Sequence, residues 1–231
     1  MRTGILYTLL FALTLFWTCG KQLSLSSNAE GMIFYDISYP REEGILMTEL
    51  MPREMVMKFK NDQIFSELKS IGGLMSITIS ADNDKKEFVQ ILKDFDKRYG
   101  MKLDERKVSE WNDRNPEIRV ELQEGTEWIA GYNCRKAMGR FVKDTLPSIE
   151  LFYTEDIQIS SPNWFNPYNS VPGVLMGYDI EYLGMRMRFR AREVRFTPID
   201  ANSFEVKTPF EAIDTQKMDD VCNQLMVDFR N

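Results

Sequence analysis

The chain reads as a mainly β domain with a minor helical part: a curved antiparallel sheet or half-open barrel with a C-terminal helix. Three observations predict this. Apolar and polar residues alternate with a period of two over most of the chain, turn-forming pairs separate the alternating runs at hairpin spacing, and the period becomes helical only near the end. The 231 residues, 43% hydrophobic and 28% charged, fit one domain with a sizeable core once a leader is removed. The expected organisation is a leader over residues 1–18, a tether over 19–29 and a single β domain over 30–231, with the helix at 215–230.

Met32 to Tyr39 is the first expected strand, closed by Pro40, which has no N–H to continue a ladder. From Arg53 to Lys60, Met55, Met57 and Phe59 share one face, while Glu54, Lys58 and Lys60 share the other. Asn61-Asp62 is a two-residue turn. Opposed residue numbers in such a hairpin sum to a constant, so Phe59 faces Ile64, Met57 faces Ser66 and Met55 faces Leu68. Gly72-Gly73 reverses the chain again and sets Leu68 opposite Ile77 and Ser66 opposite Ile79, extending the same face into a third strand.

Asp84 to Gly100 satisfies two periods. Phe88, Ile91, Leu92, Phe95 and Tyr99 fit a helix, with Asp84 and Glu87 as a capping box; Glu87 to Phe95 and Lys97 to Leu103 fit a strand pair equally well. Asp104 to Asn115 reads as a charged linker. Four strands are then expected at Ile118–Leu122, Trp128–Ala130, Cys134–Val142 and Ile149–Tyr153. A long loop from Ser160 to Pro172 carries Trp164, Phe165 and Tyr168 between prolines.

The strongest hairpin pairs Val174–Tyr182 with Met185–Ala191 around Leu183-Gly184. It sets Tyr182 opposite Met185, Ile180 opposite Met187 and Tyr178 opposite Phe189 on one face, with Glu181 opposite Arg186 and Asp179 opposite Arg188 on the other. At the end, Met218, Val221, Leu225 and Phe229 fall on one side of a helix from about Thr215 to Arg230, expected to cover a face or mouth of the sheet.

Charge and composition exclude several functions. Net charge is −6 with basic residues dispersed among acidic ones, so the footprint of a nucleic-acid binder is absent. The chain has no histidine, the side chain that most often serves as general base or zinc ligand, and no G-x-S-x-G, G-x-x-x-x-G-K or C-x-x-C spacing. A non-enzymatic protein without cofactor or metal is expected; a carboxylate-based enzyme is the third-ranked alternative.

At the amino terminus, Arg2 precedes an uncharged, mostly apolar run from Gly4 to Thr18. Fifteen helical residues span about 22 Å, short of the roughly 30 Å hydrocarbon core, so an export leader is expected rather than a membrane span. Cys19-Gly20 closes it as in a lipobox, although Phe16-Trp17-Thr18 departs from the usual Leu-Ala-Gly. Lipidation at Cys19, with residues after it as a tether, is the expectation; ordinary cleavage nearby is the alternative. Acyl chains at about 0.8 kcal/mol per buried methylene would then hold the protein on a membrane.

An oxidising compartment would permit a disulfide between Cys134 and Cys222, and two buried free thiols are the competing reading. Arg186, Arg188, Arg190, Arg192 and Arg195 form a stripe that suggests an anion site. Cross-strand carboxylates argue instead for a solvated, ion-paired face, on which only Arg190 and Arg192 lack an obvious partner. Methionines 55, 57, 75, 176, 185 and 187 fall on inward faces. Met176, Tyr178, Met187 and Phe189, with Trp164, Phe165 and Tyr168 from the loop, are the candidate ligand-binding residues, because thioethers adapt to irregular apolar shapes. A filled core satisfies the same alternation. The loop aromatics would either dock a glycan or partner protein or fold back as a lid. Asp144-Thr-Leu146 is similar to a short acceptor sequence for O-glycosylation in Bacteroides-type bacteria.

Gly131-Tyr-Asn-Cys-Arg-Lys-Ala137, followed by Val171-Pro-Gly-Val-Leu175 entering a strand, resembles the GLPGLI-type families of envelope proteins in Bacteroidetes, with Val171 and Val174 where the namesake motif has leucines. The chain also resembles a related uncharacterised lipoprotein family in which a Gly-Tyr-x-Cys-Lys segment precedes strands. The similarity spans roughly Gly31 to Pro209. It implies a lipoprotein-carrier-like half barrel without an assigned activity, and it implies strands at Lys97-Arg-Tyr-Gly-Met-Lys-Leu103, which decides the ambiguous stretch in favour of strands.

The resulting expectation is an outer-membrane lipoprotein facing the periplasm whose sheet binds a lipid or lipidated peptide. The alternatives are a soluble periplasmic or secreted location, and an interaction module for an envelope protein or glycan with a filled core.

Overall fold

The computed structural model describes residues 29–40, 51–143, 146–182 and 185–230. Twelve strands form one curved sheet: β1 (Glu30–Ser38), β2 (Glu54–Lys60), β3 (Gln63–Lys69), β4 (Met75–Asp82), β5 (Glu87–Asp94), β6 (Lys97–Asp104), β7 (Ile118–Ile129), β8 (Tyr132–Phe141), β9 (Ile149–Thr154), β10 (Val174–Tyr182), β11 (Met185–Arg195) and β12 (Glu211–Ala212). Two helices accompany it, α1 (Glu105–Asn112) and α2 (Thr215–Arg230). The strand order is β12-β6-β5-β4-β3-β2-β1-β11-β10-β9-β8-β7. Every pairing is antiparallel except the short β12–β6 contact, and the two outer strands do not meet, so the sheet is a half-open barrel rather than a closed one.

The order follows from local turns. Asn61 and Asp62 both adopt positive φ, 46° and 63°, as a two-residue hairpin loop requires, and Asn and Asp tolerate that region better than other side-chain-bearing residues. Phe59–Ile64, Met57–Ser66 and Met55–Leu68 are paired as expected, and Leu68–Ile77 and Ser66–Ile79 continue the face into β4. The β10–β11 register also matches the alternation: Tyr178–Phe189, Ile180–Met187, Asp179–Arg188 and Glu181–Arg186. A long-range step joins the two meanders by pairing β1 with β11, with a register shift at Phe34/Tyr35.

Residues 87–104 form β5 and β6, not a helix. Pairing with β4 sets Phe88 against Ala81 and Leu92 against Ile77, which buries an apolar face that an isolated helix would have nowhere to place. Three expectations need correction. The charged stretch after β6 is not a linker but contains α1, capped by the Asp104 carboxylate accepting from Lys107 N at 2.8 Å and held by buried Val108. Ile118–Leu122 and Trp128–Ala130 belong to one strand, β7, whose ladder is interrupted between Leu122 and Thr126, where Gly125 takes φ 106°.

The β10–β11 outer face is not solvated throughout. Asp179 and Arg186 are buried, 4% and 7% exposed, and Arg186 Nε lies 3.2 Å from both the Asp179 and Glu181 carboxylates. Arg188 holds the same Asp179 through two bonds of 2.9 and 3.0 Å. Of the two readings left open for Cys134 and Cys222, buried free thiols are what the structure has: Cys134 lies on β8, whereas α2, which carries Cys222, packs on β6 at the other side of the sheet.

The leader, Cys19, most of the tether, Asp144 and the Leu183-Gly184 turn lie outside the described residues. Among those described, no helix is long and apolar enough to cross a membrane.

Candidate ligand-binding site

The concave face of the sheet is lined by the inward side chains of β2 to β5 and of β10 and β11. Met55, Met57, Ile64, Leu68, Ile77, Ile79 and Phe88 come from the first meander, and Tyr178, Ile180, Met187 and Phe189 from the second. These side chains do not meet in the middle. They enclose a predominantly apolar cavity of about 230 Å³. A roof of two parts covers it.

The first part is the loop from Glu155 to Gly173, held in place by polar side chains rather than by secondary structure. Asn163, 4% exposed, donates from Nδ2 to the carbonyls of Val171 and Gly173 at 2.9 and 2.8 Å, closing the loop on itself. Asp62 in the β2–β3 turn accepts from Ser160 N and Oγ. Trp164 Nε1 donates to Asn83 Oδ1 in the β4–β5 turn. The second part is α1, whose Trp111 lies 6.1 Å from the Phe88 ring and donates to Asp219 of α2 at 3.2 Å.

An aromatic cluster centres on Tyr178. Its ring stacks on Phe189 at 4.9 Å and meets Tyr35 and Tyr168 edge-on at 6.1 and 6.5 Å, geometries that suit the ring quadrupoles. Tyr35 donates its hydroxyl to Leu175 O at 2.9 Å and Tyr168 donates to the carbonyl of Asp179. Burial pushes the phenol groups of Tyr35, Tyr168 and Tyr178 well above the usual tyrosine range, so all three stay neutral. They present ring faces to the cavity, with the Tyr35 and Tyr168 hydroxyls held by hydrogen bonds.

Five of the seven expected ligand-binding residues, Phe165, Tyr168, Tyr178, Met187 and Phe189, line this cavity together. Met176 and Trp164 do not. Met176 is fully buried in the same core cluster as Met187 and Phe189, beside a register shift in the β9–β10 ladder between Leu175 and Gly177, and is packed there without reaching the cavity. Trp164 sits behind Phe165 as the anchor of the roof. The loop aromatics are therefore a lid, not an exposed docking platform.

Cavity residues that alternation does not single out are Ser66 and Gln90, both buried, and the asparagines of the roof. Ser66 was legible as an inward position in the register, but its polarity carries no signal by itself. The arginine stripe is not an open anion site: Arg190 pairs with Glu127 of β7, and Arg192 pairs with Asp36 and Glu54 at 2.9 and 2.5 Å. The partners absent from the hairpin arithmetic come from strands distant in sequence.

No family model matches the chain, and no curated protein matches it. Among solved structures, the chain is similar to PNGF-II, with a TM-score of 0.54 and 14% identity, covering 84% of this chain and 32% of that one. The chain thus spans about a third of the length of that structure, and the likeness is one of fold. A weaker likeness, at a TM-score of 0.29 and 9% identity over 74% of this chain and 98% of the other, is to a β-barrel-like protein of the domain of unknown function DUF1849 from Brucella abortus.

Proposed function

We propose that this protein is a non-enzymatic lipoprotein of the bacterial cell envelope that holds an apolar ligand, a lipid or the acyl part of a lipidated peptide, beneath the roof of its half-open barrel. The observation that carries this reading is the cavity. A wall of methionine, isoleucine, leucine and aromatic side chains borders about 230 Å³ of space instead of closing across it, which is costly to maintain in a core that could repack, because protein interiors otherwise reach crystal-like density. Thioether side chains suit a guest of variable shape.

The leader-like segment ending at Cys19, the resemblance to envelope lipoprotein families and the lack of histidine support the location and the non-catalytic role. In this reading Cys19 carries the membrane anchor and the protein faces the periplasm.

Native mass spectrometry of protein purified from its own envelope tests the ligand. The expected result is additional mass that organic extraction removes; a clean apoprotein mass would reject the reading. Cys19→Ser tests the anchor, with loss of partition into detergent expected and unchanged partition excluding lipidation.

A further inference from the structure

A row of side chains crosses the concave face at mid-depth: Met57 on β2, Ser66 on β3, Ile79 on β4, Gln90 on β5 and Met101 on β6, paired in that order across four ladders. The neighbouring inward rows are apolar. On one side run Phe59, Ile64, Ala81 and Phe88, and on the other Met55, Leu68, Ile77 and Leu92. Ser66 is 5% exposed and lines the cavity, and among the described residues nothing hydrogen-bonds its hydroxyl.

Desolvating a hydroxyl without a partner is unfavourable, so buried hydroxyls in proteins are as a rule paired. One that faces a cavity from a wall whose one other polar side chain in the row is Gln90, two strands away, is a recognition point for the occupant. Its depth constrains that occupant. Successive inward residues along a strand lie about 6.7 Å apart, so apolar lining extends about that far on each side of Ser66, room for about five chain carbons. A charged head group at Ser66 would be stranded among apolar rows, whereas an uncharged oxygen set within a chain would not.

Building on the reading that the cavity takes an acyl chain, we propose that the preferred ligand carries a hydrogen-bonding oxygen part-way along that chain, and that Ser66 Oγ binds it. Ser66 is then the residue that separates an oxygenated chain from a plain one.

The experiment compares decanoate with 5-hydroxydecanoate by calorimetric titration into the delipidated protein and its Ser66→Ala variant, with circular dichroism to confirm that both are folded. The wild type is expected to favour the hydroxylated chain by about three- to tenfold, the worth of one hydrogen bond. Ser66→Ala is expected to abolish that preference while still binding decanoate. Equal binding of both chains by the wild type, or a preference that survives in Ser66→Ala, would overturn the inference and leave the lipid cavity standing. Binding of neither chain would remove both.

Discussion

The indole Nε1 of Trp164 donates to the Oδ1 of Asn83 at 2.9 Å, and both side chains are buried. This bond fastens the roof loop to the β4–β5 turn, 81 residues away in sequence. Asn83 also donates to Ser160 O at 2.9 Å, so it grips the loop at two points.

Asn83→Ala should therefore loosen the roof without disturbing the sheet. Leaving a buried indole N–H unpaired costs about 1–3 kcal/mol. The expected outcome in urea unfolding is a loss of that size, together with faster amide exchange in residues 160–172 than in β3 and β4. Uniform exchange across the protein would show that the loop is not an independent lid.

The buried ion group of the second meander should respond asymmetrically. Asp179 holds both Arg186, whose side chain is 9% exposed, and Arg188, whose side chain is 53% exposed. Asp179→Ala removes one of the two carboxylates that compensate the buried Arg186 guanidinium, leaving Glu181, and is expected to destabilise by about 3 kcal/mol, the low end for a broken buried pair. Arg188→Ala removes a partly solvated partner and should cost about 1 kcal/mol or less beyond its packing. Equal losses from the two variants, measured by chemical denaturation, would contradict this account.

Alkaline pH should unfold the protein through neutral buried groups. Burial pushes the Cys134 thiol up to about 11 from 9.0 and raises the Tyr35, Tyr168 and Tyr178 hydroxyls above 10.0. A group that holds its proton more tightly when folded contributes stability below its unfolded pKa and loses it as pH rises toward the folded value. Stability is thus expected to be flat through neutral pH and to fall from about pH 9 upward, with tyrosinate absorbance appearing abruptly on unfolding. In the same native protein a thiol reagent at mild alkaline pH should label neither Cys134 nor Cys222, and both should react after denaturation.

Much of the cavity wall was legible in the alternation, because a hairpin with a short turn has only one register that keeps its apolar faces together. That logic placed Met57 with Ser66 and Tyr178 with Phe189. It failed where a feature depends on non-local geometry. The Arg190–Glu127 pair exists because the end of β7 curls back toward β11, 63 residues on. Met176 is packed into the core beside a register shift that no residue type announces, and it does not line the cavity. Helix α1 was hidden because only Val108 among its residues is buried, too little apolar signal to show a period. The capping carboxylate of Asp104 three residues before Lys107 and the Arg106–Glu110 pair at i, i+4 were the available signs.

Filling the cavity should separate ligand binding from folding. Met57 is inward on β2, 9% exposed, and borders the space beside Ser66. Met57→Trp would place an indole where the chain of a ligand is proposed to lie. Enlarging a packed core residue typically costs about 1–3 kcal/mol, but here part of the added volume enters existing space, so the expected change in unfolding free energy is at the low end of that range. Displacement of a fluorescent fatty-acid probe should be lost in this variant. The reverse change, Met57→Ala, enlarges the space and should cost about 2–5 kcal/mol in the apoprotein, with much of that recovered when an acyl chain is added. A variant with tryptophan at this position that still takes up the probe at the wild-type level would place the ligand elsewhere on the molecule.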